Sequence, residues 1–252
     1  MSFKEWLYSS YSPNPTIDGA WGWQHIVTLA ACAVAVVLLS LLFRKKSEKA
    51  KRILLWIFAA IILAFGIVRR VVGFIKEPNP DFTKIMYILL PRPGCAIACW
   101  AVVIAVVFNK KSLYNFASIL GILCGLIFFA YPGAGFNKEV YVFENYYSIF
   151  THSLFFVSSL LFITLGFTEF RYKGSWKEAI YLIALYVYSI LQIYVLKIYA
   201  DPMYFMPGGD IQAMIGLNYT TYIALYVVFM IVYFNLFYLI GDRKNVFKRR
   251  KK

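Results

Sequence analysis

The chain has 252 residues, of which 61% are hydrophobic, 19% aromatic and only 15% charged, with a mean hydropathy of +0.66. Soluble domains run at roughly 45–50% apolar and about 25% charged, so this composition cannot cover a water-facing surface, and it excludes a soluble enzyme, a disordered tail and a small disulfide scaffold. The net charge of +14 would suggest nucleic acid on a soluble protein, but here the surplus sits in short runs between apolar blocks, where it sets topology and meets anionic headgroups, so no nucleic-acid partner is expected.

In chain order, residues 1–23 carry Pro13, Pro15 and Gly19 beside several aromatics. They read as an interfacial arm and lack the basic start and short apolar run of a cleavable signal. Seven apolar blocks follow: Gln24–Phe43, Ile53–Ile75, Ile85–Phe108, Leu113–Tyr131, Tyr146–Thr168, Trp176–Tyr199 and Tyr219–Ile240. Each has about 20 residues, the length an α-helix needs to cross roughly 30 Å of hydrocarbon. Barrel strands would be half as long and would alternate in polarity. The predicted fold class is all-α, a seven-transmembrane-helix bundle forming one domain over residues 24–240. A basic tail, residues 241–252, closes the chain.

Orientation follows from the basic residues. The connections after spans 1, 3 and 5 and the C-terminal tail carry 18 Lys and Arg, whereas the opposite side carries only Lys4, Lys76, Lys84 and Lys138. The positive-inside rule places the N-terminus outside and the C-terminus in the cytoplasm, a multi-pass arrangement in a cell membrane, with anionic inner-leaflet lipids at the basic loops and tail.

Polar groups within the spans fall on the outer side. Gln24 and His25 open span 1, Arg69 and Arg70 lie near the outer end of span 2, and Arg92 and Cys95 lie in the outer half of span 3. His152 is about two turns into span 5, while Gln192 and Lys197 lie in the outer half of span 6, followed by Asp201. Ionisable groups inside spans are costly and usually face a bundle interior or a water-filled cavity, so an outward-facing polar cavity is expected. Arg69, Arg70 and Arg92 together could hold a phosphate through bidentate bonds. Arg70 and Lys197 are also placed to snorkel to headgroups. His152 fits a structural role and a functional one equally.

The four cysteines, Cys32, Cys95, Cys99 and Cys124, lie in apolar segments, which argues against a disulfide framework. Cys95 and Cys99 share a helix face one turn apart. The helix-breaking Pro91-Arg92-Pro93-Gly94 and the nearby arginines set Cys95 apart from a simple apolar filler. A metal site from Cys95, Cys99, His25 and His152 lacks the paired spacing of zinc motifs, so no metal or other cofactor is expected. Gly121 and Gly125 form a Gly-x-x-x-Gly pair, a sign of close helix packing. Span 7 has no lysine for retinal, and phosphate loops and hydrolase elbows are absent.

Several pieces together resemble a known family. Trp23-Gln24-His25 opens span 1, and Leu90-Pro91-Arg92-Pro93-Gly94-Cys95 lies in span 3. Leu113-Tyr114 with Gly121, Gly125 and Pro132 marks span 4, and Tyr146 with His152 marks span 5. Met203-Tyr204-Phe205-Met206-Pro207 occupies the last outer loop. Over most of residues 21–240 the chain resembles the YwaF-like bacterial integral membrane proteins, related to the eukaryotic transmembrane protein 164 family. One departure is Pro93, where bacterial members often carry histidine. The eukaryotic relatives are described as acyltransferases that move a fatty acyl chain between phospholipids through a cysteine.

That resemblance implies Cys95 as nucleophile and His152 as general base, acting on membrane phospholipids as an acyltransferase or acyl hydrolase. Arg69, Arg70, Arg92, His25, Tyr146 and Gln192 are the candidate substrate-binding set. The same features fit a non-enzymatic lipid or small-molecule carrier, or a structural membrane subunit, because fold similarity does not establish activity.

Overall fold

The computed structural model describes residues 2–8, 21–92, 94–130, 135–136, 142–198, 201 and 203–242. Pro13, Pro15, Gly19, Pro93, Pro132, Lys138 and the basic tail from residue 243 lie outside the described residues. Among the described residues the protein is helical throughout, with no strand. A short α1 (Phe3–Tyr8) precedes α2 (Trp23–Phe43) and α3 (Glu48–Lys76). Next come α4 (Phe82–Leu89), α5 (Gly94–Phe108), α6 (Lys111–Ala130) and α7 (Phe143–Thr164). After them α8 (Trp176–Ile190) runs directly into a π-helical turn, Leu191–Val195. A short α9 (Asp210–Ile215) leads to α10 (Tyr219–Gly241).

Among the described residues six helices are long and apolar enough to cross a membrane: α2, α3, α6, α7, α8 with its π turn, and α10. The third span is corrected. Ile85–Phe108 is not one helix, because α4 and α5 meet at a bend of 57° and count as a span only together. Leu90 is extended (φ −81°, ψ 145°), as expected of a residue before proline, and Pro91 itself brings no amide hydrogen. Three helix ends also move. Ser47 caps α3 by accepting from the Ala50 amide at 3.3 Å, so that helix starts before Ile53. Helix α7 stops at Thr164 and the α8 span at Val195, short of Thr168 and Tyr199.

A break inside a membrane leaves carbonyls that water cannot serve, so side chains must. Arg70 donates to the Leu89 carbonyl from Nε at 2.9 Å and from Nη2 at 2.7 Å, and to Gly66 from Nη1 at 2.9 Å. The Pro91 carbonyl accepts from Gln192 Nε2 at 2.8 Å and from the Tyr188 hydroxyl at 3.1 Å. The extra residue of a π turn re-aims the side chains around it, and Gln192 is fully buried within this one.

The core is built where α5, α6 and α7 pack together, with α2 and α3 against them. Gly121 and Gly125 make the α6–α7 approach possible: a Cβ on Gly121 would collide with Ser159 Oγ, and one on Gly125 with the Phe156 ring. At the far end of the same helix, Asn115 clasps the start of α8. Its Nδ2 donates to Glu178 Oε1 at 2.8 Å and to the Glu169 carbonyl at 3.0 Å, while its Oδ1 accepts from the Glu169 amide at 2.8 Å. Lys111 pairs with the Glu169 carboxylate, and Arg171 does so at 2.6 Å. Lys111 above all holds that carboxyl below its ordinary range. The contribution of this pairing is therefore full above the ordinary carboxylate pKa and is lost as pH falls through the depressed value.

Replacing Asn115 with Ala strands a buried carboxylate oxygen and two backbone groups. Each buried polar group left unsatisfied costs about 1–3 kcal/mol. Asn115→Ala is therefore expected to lower the thermal unfolding midpoint in detergent micelles by several degrees, and an unchanged midpoint would count against the clasp.

Candidate functional site

Because α5 begins at Gly94, directly after the break, Cys95 lies in its first turn and Cys99 one turn further on. Cys95 is half-buried and lies beside Cys124 of α6 and His152 of α7, near enough for the three groups to influence one another electrostatically. All four cysteines are free thiols.

The histidine is held on two sides. Its ring stacks on Phe128 with centroids 3.8 Å apart and planes 15° from parallel. Its Nδ1 lies 2.6 Å from the Ser148 carbonyl, one helical turn back. A carbonyl only accepts, so Nδ1 carries a hydrogen and Nε2 is the nitrogen a neutral imidazole has left to accept with. The fold thus brings together a thiol and an imidazole that is oriented by a third group, the arrangement nucleophilic catalysis requires. Ser148, Phe128 and Cys124 were not among the site residues expected from sequence. Only Ser148, four residues before His152, carried a signal that could have found it.

On one side of this cluster, Arg69, Arg70, Cys99, Trp100 and Tyr147 line a narrow groove beside Pro91. Arg69 lies over the Tyr147 ring at 5.3 Å and Arg70 over Trp100 at 5.3 Å. Arg92 does not join them; its guanidinium stacks on Tyr87 of α4 at 3.2 Å. Asp201 accepts from the Phe205 and Met206 amides at 2.8 and 3.2 Å.

The remaining predicted binding residues are dispersed. His25 is fully buried in an aromatic cage, 4.8 Å from Phe136 and 5.0 Å from Trp21, and its Nδ1 accepts from the Trp21 amide at 3.3 Å. Tyr146 is 44% exposed and faces Trp6 of α1, whereas its neighbour Tyr147 points into the arginine groove. Gln192 serves the Pro91 carbonyl, as described above.

On the other side of the cluster lies a cavity of about 310 Å³, walled by α6, α10, α9 and the residues leading into α9. Its lining is almost wholly apolar and reaches Gly94 and Cys124, so it ends against the Cys95 site. Among the described residues, no single outward polar cavity surrounds this cluster. A guanidinium-lined groove and a larger apolar cavity flank α5 instead.

The TMEM164 family matches this chain over residues 20–238, more than four-fifths of its length. The chain belongs to the TMEM164 family. Neither a curated protein nor a solved structure matches it.

This member of the TMEM164 family is a multi-pass membrane protein, and the matched region takes in every span from α2 to α10 together with Cys95, Cys124 and His152. Among the described residues no group of three His, Cys, Asp or Glu side chains could hold a metal ion. The groups the site offers are thiols, an imidazole and guanidiniums.

Proposed function

We propose that this TMEM164 family protein is a cysteine-dependent phospholipid acyltransferase or acyl hydrolase, with Cys95 as nucleophile and His152 as general base. The observation that carries this reading is the Cys95 thiol beside an imidazole whose Nδ1–H is tied to the Ser148 carbonyl. His152 Nε2 takes the thiol proton as sulfur attacks the ester carbonyl of a phospholipid. The ester C–O bond breaks, and the leaving lysophospholipid oxygen takes that proton from His152, which leaves an acyl thioester on Cys95. A second lysophospholipid hydroxyl, or water, then attacks the thioester with His152 again accepting its proton, and the thiol returns.

Arg69 is assigned to the lipid phosphate, because a guanidinium beside an aromatic face suits an anionic headgroup at membrane depth, and Arg70 adds its charge to the groove while its hydrogens serve the Leu89 and Gly66 carbonyls. Arg92, His25, Tyr146 and Gln192 then support the scaffold around that groove. The basic-residue count favours an outside N-terminus, with the cluster toward the outer leaflet. We place the protein in a bacterial cytoplasmic membrane, in the YwaF-like branch, on the span 1 and span 3 motifs.

A phospholipid with an alkyne-tagged acyl chain tests the reading in mixed micelles. The wild-type protein should acquire a hydroxylamine-sensitive tag, and Cys95→Ala should lose it at least 100-fold while binding lipid as before. Lipid binding by the wild-type protein with no thioester would make it a carrier and overturn the enzymatic reading. A hydroxylamine-sensitive tag persisting in Cys95→Ala would move the nucleophile elsewhere.

A further inference from the structure

The cavity beside α10 is unusual because it lies between a helix and the bundle that this helix should pack against. Helix α10 makes few close backbone approaches; an apolar cluster of Ile119, Leu123 and Phe170 with Tyr233 and Tyr238 holds its inner half, and tyrosine hydroxyls hold its outer half. Tyr226 donates to the Met203 carbonyl at 2.9 Å and meets the Tyr186 hydroxyl at 2.7 Å, and Tyr222 donates to the Tyr204 carbonyl. With these polar tips bonded elsewhere, the rings turn apolar surface toward the space.

The opposite wall is a stripe on α6, Leu120, Leu123, Cys124 and Ile127, whose spacing is that of one helical face. The cavity runs along this stripe and stops beyond Leu120 and Met230, where the Tyr233 hydroxyl donates to the Ile119 carbonyl at 2.7 Å. Toward the bilayer the rim is formed by Leu225 and Phe229, each about half exposed.

We propose that this cavity between α6 and α10 houses one fatty acyl chain of a membrane lipid, entering past Leu225 and Phe229 and ending at Met230, and that its depth sets chain length. Its volume of about 310 Å³ lies at the lower end of ligand pockets, roughly 300–1000 Å³. An elongated, apolar, dead-ended space open to hydrocarbon fits a single chain and offers nothing to a polar or charged ligand. The chain's carboxyl end lies at Gly94 and Cys124, beside Cys95. That placement of the ester rests on the acyl-transfer reading; the identity of the occupant does not.

The test uses fatty acids of graded length bearing a diazirine, added to the purified full chain in detergent, with labelled peptides mapped by mass spectrometry. Labelling should saturate, should fall on Leu120–Ile127 and Tyr222–Met230, and should be competed by the unmodified fatty acid. It should persist in Cys95→Ala. Met230→Trp should shift preference to shorter chains, weakening binding about fourfold for each methylene no longer housed. Met230→Ala should shift it to longer ones. Opposite shifts from two variants at one position cannot come from a general folding defect.

Unsaturable labelling spread over lipid-facing helices, or the same length preference in both Met230 variants, overturns the proposal. If the thioester forms on Cys95 under that outcome, the transfer reading survives it. If the Met230 shifts occur and no thioester ever forms, the cavity stands and the transfer reading falls.

Discussion

Replacing His152 with Gln is expected to slow formation of the Cys95 thioester by roughly 10²–10⁴-fold, the usual contribution of a positioned general base. The imidazole neighbours the thiol, and because its Nδ1 donates to the Ser148 carbonyl, Nε2 is the nitrogen left to accept a proton. Gln cannot accept and return a proton at neutral pH. Its amide is also a poorer stacking partner for Phe128, so the unfolding midpoint must be measured beside the rate. A slowing of less than tenfold in a protein that still unfolds at the wild-type temperature would remove His152 from the chemistry. Ser148→Ala is a control that leaves the carbonyl in place, and it should slow the reaction far less than His152→Gln does.

The largest effect on stability is expected from Gly121→Leu. Overpacking a filled site costs about 1–3 kcal/mol and occasionally more. Here the first added atom already meets Ser159 Oγ, and the Phe155 carbonyl lies 3.4 Å from it. Relief requires α6 and α7 to separate, which also breaks the Ser118–Ser159 and Ser159–Ala117 hydrogen bonds, both 3.1 Å. Because α6 and α7 carry Cys124 and His152, transfer activity should fall together with the unfolding midpoint. Gly174→Ala is the matched control, since a Cβ there meets nothing within 4 Å. A Gly121→Leu protein with wild-type stability would mean that α6 and α7 do not pack through this pair.

The spans were legible because a membrane helix announces itself by length and hydropathy, and six of the seven blocks became single runs of helix. The broken third span was half legible. Pro91 and Pro93 marked where the ladder fails, but nothing local to them showed that α4 and α5 would bend by 57°. Cys95 and His152 were singled out by composition and by resemblance, and they meet. Arg70 and Gln192 were singled out for the same reason, being polar in an apolar span, yet both are bonded to backbone carbonyls. Sequence shows that a polar group inside a membrane needs a partner; it does not show whether that partner is a ligand or the chain itself. Tyr146 and Tyr147 make the same point, since adjacent helical residues point about 100° apart and only a fold shows which one faces the groove.

The Pro91 carbonyl carries a consequence for biosynthesis. Its donor, Gln192, follows it by 101 residues in the chain. At roughly 5–20 residues per second, the ribosome delivers that donor on the order of 5–20 s after the break itself has been made. During that interval the third span cannot settle as a finished transmembrane element, because its exposed carbonyl has only water or the translocon to turn to. Its maturation waits for α8, so the nascent protein holds its reactive cysteine in an unfinished segment until most of the chain has been translated.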